Sequence, residues 1–185
     1  MKQKLGPKNV LYPQLATIVG VVRDGKPNFL AVSHIGSTPL SPHVVLGLDK
    51  DHYSNKAIKE NKEFSINVPS EQFVKYVDYA GLVSGEKVDK SKLCKIFYGS
   101  LEKAPLIEAC LINMECKLLE TIEFEKDEFL IGEIVETHCY RELLNKMAIN
   151  TPALKPLFFD MQTMYYYNLG GTVAKCWDIG KALLE

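Results

Sequence analysis

The chain has 185 residues, 46% apolar and 24% charged, which excludes a disordered protein and predicts one domain over residues 1–185. Its 22 basic and 23 acidic residues nearly cancel, and Arg23 and Arg141 are the only arginines, so no nucleic-acid surface is expected. No run approaches the ~18 apolar residues of a membrane helix, and the polar start Met-Lys-Gln-Lys-Leu-Gly-Pro lacks a secretory h-region, so neither a membrane nor export is expected and the expected location is the cytoplasm.

In chain order, residues 15–22 (Leu-Ala-Thr-Ile-Val-Gly-Val-Val) are rich in β-branched side chains and read as a strand. Asp24-Gly25 marks a hairpin turn into a second strand from Asn28 to Ser33. A turn-rich stretch follows, and a third strand is expected from His43 to Leu48. Ser54 is placed to cap a short helix ending at Glu60-Asn61. Phe64-Ser65-Ile66-Asn67-Val68 alternates as a half-buried strand does. A second helix starts near Pro69-Ser70, with Gly81 at its expected C-terminal glycine position. Residues 81–107 show no period and are expected to form a long functional loop.

Alternation then returns. Cys110, Ile112, Met114, Cys116 and Leu118 share one parity, and Asn113, Glu115 and Lys117 the other, which predicts a long strand with one apolar face. Glu125-Lys126-Asp127 turns it into a return strand over Glu128–Cys139. The tail holds Tyr165-Tyr166-Tyr167, then Gly170-Gly171 and an amphipathic end. Six or seven strands with short helices, and no strand–helix–strand rhythm, predict a mainly β protein, an antiparallel barrel or sandwich.

The usual catalytic signatures are absent: no Gly-x-Ser-x-Gly, no His-Glu-x-x-His and no phosphate-binding Gly-x-x-x-x-Gly-Lys. The four histidines are scattered and the five cysteines form no Cys-x-x-Cys, so no metal site and no disulfide framework is expected. Chemistry supplied by a bound cofactor is the remaining enzymatic option.

Several segments resemble one family. They are Leu11-Tyr12-Pro13, then Asn28-Phe29-Leu30-Ala31-Val32-Ser33-His34-Ile35-Gly36, then Ser41-Pro42-His43-Val44-Val45, the stretch from His52 to Pro69, and Ser84-Gly85-Glu86-Lys87-Val88-Asp89-Lys90. In this order and spacing the chain resembles the flavin reductase-like, FMN-binding split-barrel family, within it the flavoredoxin-like branch. The resemblance covers roughly residues 8–180. It departs from the family pattern at Val32-Ser33-His34, where members often carry Thr-Ala-Trp, and at Ser41-Pro42, where they often carry Pro-Pro.

The resemblance implies a Greek-key split β-barrel with short α-helices, a homodimer and one FMN per subunit near the dimer seam. It implies an oxidoreductase in which the flavin, not a catalytic side chain, performs the redox step. NADH or NADPH is the expected reductant, or a redox protein the partner; the alternative is a non-catalytic FMN-binding storage, sensing or structural protein. The expected cofactor residues are Ser33, His34, Ile35 and Gly36, whose backbone groups suit the polar edge of a flavin ring, with Ser41 and His43 beside them. Ser54 at a helix start suits a phosphate, or is a plain cap. Asn67 at a strand end suits the ribityl chain, or is an ordinary strand-end residue. Ser84, Gly85 and Lys90 in the long loop suit phosphate or ribityl contacts. His34 is a candidate modulator of the ring, or an ordinary structural or solvent-facing strand-end histidine, and the triple tyrosine covers the flavin or the subunit seam, or packs in core and interface.

Overall fold

A computed structural model describes residues 1–146 and 148–184. The strands and helices in chain order begin with β1 (Gln14–Leu15), β2 (Thr17–Arg23), β3 (Lys26–Val32), β4 (Ile35–Ser37), β5 (His43–Asp49), α1 (Tyr53–Asn61), β6 (Glu63–Val68) and α2 (Val74–Leu82). They continue with β7 (Ile96–Phe97), β8 (Leu106–Ile107), β9 (Ile112–Glu123) and β10 (Asp127–Cys139), then β11 (Leu144–Asn145), β12 (Ala148–Ile149), α3 (Thr151–Leu154), β13 (Phe158–Asp160) and β14 (Tyr165–Tyr167).

Seven strands form one antiparallel sheet in the order β3-β2-β6-β9-β10-β5-β4. Its two edges, β3 and β4, are consecutive in the chain and separated only by Ser33 and His34. A flat sheet cannot bring its first and last strands that close, so the sheet curls into a barrel left split along this seam. The fold is the expected split β-barrel. The turn at Asp24-Gly25 has φ of 50° and 73°, the left-handed pair that a two-residue hairpin needs.

The concave face buries Val19, Val21, Val44, Leu46, Phe64, Ile66, Cys116 and Leu130, closed at one end by Ile58 of α1. On the convex face, Tyr76, Val77 and Ala80 of α2 cover Ile18 and Phe29. A third small cluster joins Val68 and Ile112 to Leu143 and Leu154. Burying these aliphatic and aromatic side chains, each contributing about 1.5–3 kcal/mol, is the main force closing the barrel.

The structure corrects several local expectations. His52, not Ser54, occupies the position before α1, and Ser54 lies buried inside the first turn. Gly81 is not a terminal glycine: it sits within the last turn of α2, where a Cβ would stand 3.6 Å from that of Ala31. Residues 81–107 are not one long loop. They hold a 3-10 turn over Lys90–Leu93 and the β7–β8 hairpin. This segment folds over the outer side of β9, so the supposedly solvated parity is buried: Asn113 is 4% and Glu115 0% exposed.

A cleft at the barrel seam

The split at Ser33–His34 opens into a cleft. Its floor is Thr17, Ala31, Val32 and Leu48, with Val77 and Gly81 of α2 behind and Phe159, Met161 and Tyr166 on one flank. It continues outward past Asn9, Asp49 and Asp127 to Phe124 and Phe129, and this outer part encloses about 700 Å³. His34, Gly47, Leu48, His52 and Met161 line both parts.

Local chemistry places each of these groups. His34 ends the seam: its backbone oxygen accepts from Gly47 N at 2.8 Å, and its Nε2 lies 3.0 Å from the Tyr12 hydroxyl. Gly47 leaves room beside it, because a Cβ there would stand 3.2 Å from the Phe129 ring and 3.4 Å from His34 Cβ. His52 precedes α1, and its ring Nδ1 is buried without a hydrogen-bond partner. The His52 residue lines both parts of the cleft, while Nδ1 itself has no exposed surface. α1 begins directly after it, and a helix N-terminus favours an anion.

The structure gathers some of the expected residues and disperses others. Ser33 and His34 line the cleft. Ile35 and Gly36 leave it as β4, an edge strand of the sheet, paired with Leu46 and Val45. Ile35 N also donates to Ser33 O at 3.0 Å, which uses part of the polar edge expected at this turn. Ser41 and His43 form a knot at the β4–β5 turn, Ser41 Oγ lying 3.1 Å from His43 Nδ1 and 2.7 Å from Thr38 Oγ1.

Ser54 and Gly85 meet at Asn28 in a separate polar pocket. Asn28 Nδ2 donates to Ser54 Oγ at 2.7 Å, and a Cβ on Gly85 would fall on the Asn28 amide. Ser84 accepts from Glu86 N at 3.2 Å in the adjoining turn. Arg23, Lys26 and Lys87 of that pocket are matched by Asp24, Glu86 and Asp89, which leaves it without net charge for an anion.

Asn67 and Lys90 have structural partners. Asn67 is fully buried; it donates to Ile18 O and Ser65 Oγ, both at 3.0 Å, and accepts from Ile107 N at 2.9 Å and Asn113 Nδ2 at 2.7 Å. Lys90 is 3% exposed, and its Nζ donates to Ala80 O at 3.1 Å and Val83 O at 2.9 Å, capping the C-terminal end of α2. Burial lowers its pKa to about 8. Of the three tyrosines, Tyr166 is half-buried and lines the cleft, while Tyr165 and Tyr167 are exposed.

His52, Gly47, Leu48, Tyr12 and Met161 were not among the expected contacts. Tyr12 and His52 lie in segments that carried the resemblance; nothing local marks Met161, which reaches the cleft only through the packing of β13 on β1.

The sequence model of the flavin reductase like domain matches residues 10–168, and the chain belongs to that family. Flavoredoxin from Methanosarcina acetivorans has the same fold, with a TM-score of 0.95 at 36% identity over 99% of each chain. Flavoredoxin of Desulfovibrio vulgaris follows at 0.89 and 30% identity, over 97% of this chain and 100% of that one. An uncharacterized protein of Archaeoglobus fulgidus is 33% identical over 69% of this chain and 74% of its own.

Proposed function

We propose that the protein binds FMN in the cleft at the barrel seam and works as a flavin-dependent oxidoreductase or electron carrier. The observation that carries this reading is the apolar-walled cleft of about 700 Å³ at the barrel seam, lined by the side chains of His34 and His52. Membership of the flavin reductase like family and the likeness to two flavoredoxins support it. A bound flavin would supply the hydride and electron chemistry. The chain's own part is binding and orientation. Leu48, Phe159 and Met161 exclude water from the ring's faces, while His52 and His34 offer polar contacts to its edges. The N-terminus of α1, which follows His52, would be the place for the phosphate. Ser54 does not read it directly, since its hydroxyl is committed to Asn28, and Lys90 is committed to α2. On this reading the protein works as a homodimer, and its electrons come from NADH, NADPH or a redox protein.

The visible spectrum of the purified protein, with mass identification of what denaturation releases, is the first test. FMN is the expected ligand, and His52→Ala should weaken its binding by about tenfold, near 1.4 kcal/mol. Failure to bind FMN at all overturns the reading. Stopped-flow mixing of the FMN-loaded protein with NADH and NADPH then separates the two activities. Rapid bleaching makes it a reductase. No bleaching, with rapid exchange to a redox protein, makes it a carrier in the manner its resemblance to flavoredoxins suggests.

A further inference from the structure

The segment after β14 leaves the body of the subunit. Every described residue from Asn168 to Leu184 is exposed, including Val173 at 99%, Trp177 at 92%, Ile179 at 70% and Leu183 at 88%. Asn168 is the last to bond the body, through Glu71 at 3.0 Å. Beyond it, the hydrogen bonds among described residues stay within the segment, as in Ile179 N to Lys175 O and Lys181 Nζ to Asp178. Gly170 and Gly171 stand free, with no atom within 4 Å of an added Cβ, and form a pivot.

An arm that rests on nothing should have no fixed course. Yet the Methanosarcina acetivorans structure matches this one at a TM-score of 0.95 over 99% of the chain. That score averages over all residues, and could not reach this value if an arm of sixteen in 185 went elsewhere. The same course in a solved relative, without support from the subunit's own body, points to support from outside it.

We propose that residues 169–184 form an exchanged arm that docks on a second copy of this chain. The receiving surface is the apolar rim of the cleft on the β9–β10 hairpin: Ile122 is 40%, Phe124 52% and Phe129 40% exposed, with the two phenylalanine rings edge to face at 5.3 Å. The arm's charged residues are Lys175, Asp178 and Lys181, with Glu185 after them, and those of the rim are Glu125, Lys126 and Asp127, Glu123 being paired with Lys50 at 3.3 Å, so apolar contact carries the docking. Two-fold exchange satisfies both arms and both rims at once. Because the rim borders the cleft, each arm closes the site of the other subunit. The proposal rests on the homodimer reading and requires no bound flavin.

Trp177 is the only tryptophan in the chain, so its fluorescence reports the arm alone. Light scattering and acrylamide quenching are followed together as the full-length protein is diluted. A dimer with a shielded indole is expected, both properties vanishing over the same concentration range. Trp177→Asp and Phe124→Asp should each weaken the dimer at least about tenfold, leaving circular dichroism unchanged, since both side chains are exposed in the subunit. In Phe124→Asp the indole should become quenchable. A dimer whose indole is fully quenchable overturns the arm and leaves the dimer standing. An indole that stays shielded where light scattering shows monomer means that the arm folds onto its own subunit, which also overturns the proposal. A monomer at every concentration removes both arm and dimer.

Discussion

The hydroxyl of Tyr12 lies 3.0 Å from Nε2 of His34, tying the segment ahead of β1 to the two-residue link between the barrel's edge strands. The same hydroxyl reaches Met161 Sδ at 3.5 Å, so one group braces two walls of the cleft. His34 is thereby held in place by side-chain and backbone bonds together.

Tyr12→Phe removes this brace and keeps the ring. A net hydrogen bond contributes about 1 kcal/mol, so FMN affinity should fall by roughly fivefold. On the proposed reading His34 positions the ring and transfers no proton, so His34→Ala should slow reduction of a bound flavin by at most about tenfold, near 1.4 kcal/mol of barrier. Flavin titration and stopped-flow reduction measure the two effects. Complete loss of reduction in His34→Ala with FMN still bound would show an essential side-chain donor.

Asn67 joins β6 to β2, to β8 and to Asn113 of β9 through three hydrogen bonds, and a fourth reaches Ser65 of its own strand. Asn67→Ala leaves several buried partners unsatisfied and should cost about 3 kcal/mol or more of stability. Urea unfolding measures this. Flavin affinity of the protein that remains folded should be unchanged, in contrast to the cofactor role its strand-end position suggested.

Lys90 gives a pH dependence of definite sign. Its pKa is lowered by burial from 10.5 to about 8 in the folded state. Between those two values the unfolded chain holds a proton that the folded protein has released, so this group's contribution to stability rises with pH. The difference between wild type and Lys90→Met should therefore grow from pH 8 to 10.5 and be flat below that window. Taking the difference cancels the buried thiols of Cys110 and Cys116, which act in the opposite direction as pH rises. Urea midpoints across this range decide it; a difference that shrinks with pH contradicts the buried cap.

Glu115 is the acid counterpart. Burial raises its pKa, but the His138 Nε2 contact at 2.8 Å and the backbone N–H groups of Leu101 and Ser100 outweigh it and leave the pKa below 4.5. The carboxylate's contribution is present above its unfolded pKa and lost as pH falls through the folded one. Glu115→Gln should cost about 1–3 kcal/mol near neutral pH, and the gap to wild type should narrow as the solution is acidified below 4.5. Loosening should concentrate on the 96–107 segment that Glu115 anchors, visible as faster amide exchange there.

What the sequence determined by itself is local or periodic. The Asp24-Gly25 hairpin, the alternation through β6, β9 and β10 and the short α1 were legible because turn chemistry and side-chain parity act over a few residues. The resemblance in the Ser33–Gly36 and His52–Pro69 segments named the family before any packing was known. Tertiary structure decided the rest. Polar parity on β9 suggested water, yet Asn113 and Glu115 face a folded-over segment whose backbone needs their hydrogen bonds. Lys90 looked like a free cation in a loop, and only the packing of that loop against α2 shows its ammonium group committed to helix carbonyls. The cleft draws on β1's neighbour β13, the end of β5, the start of α1 and the seam at His34, residues far apart in the chain. They become neighbours because the sheet curls until its edges meet, and no local signal records where a curled sheet will close.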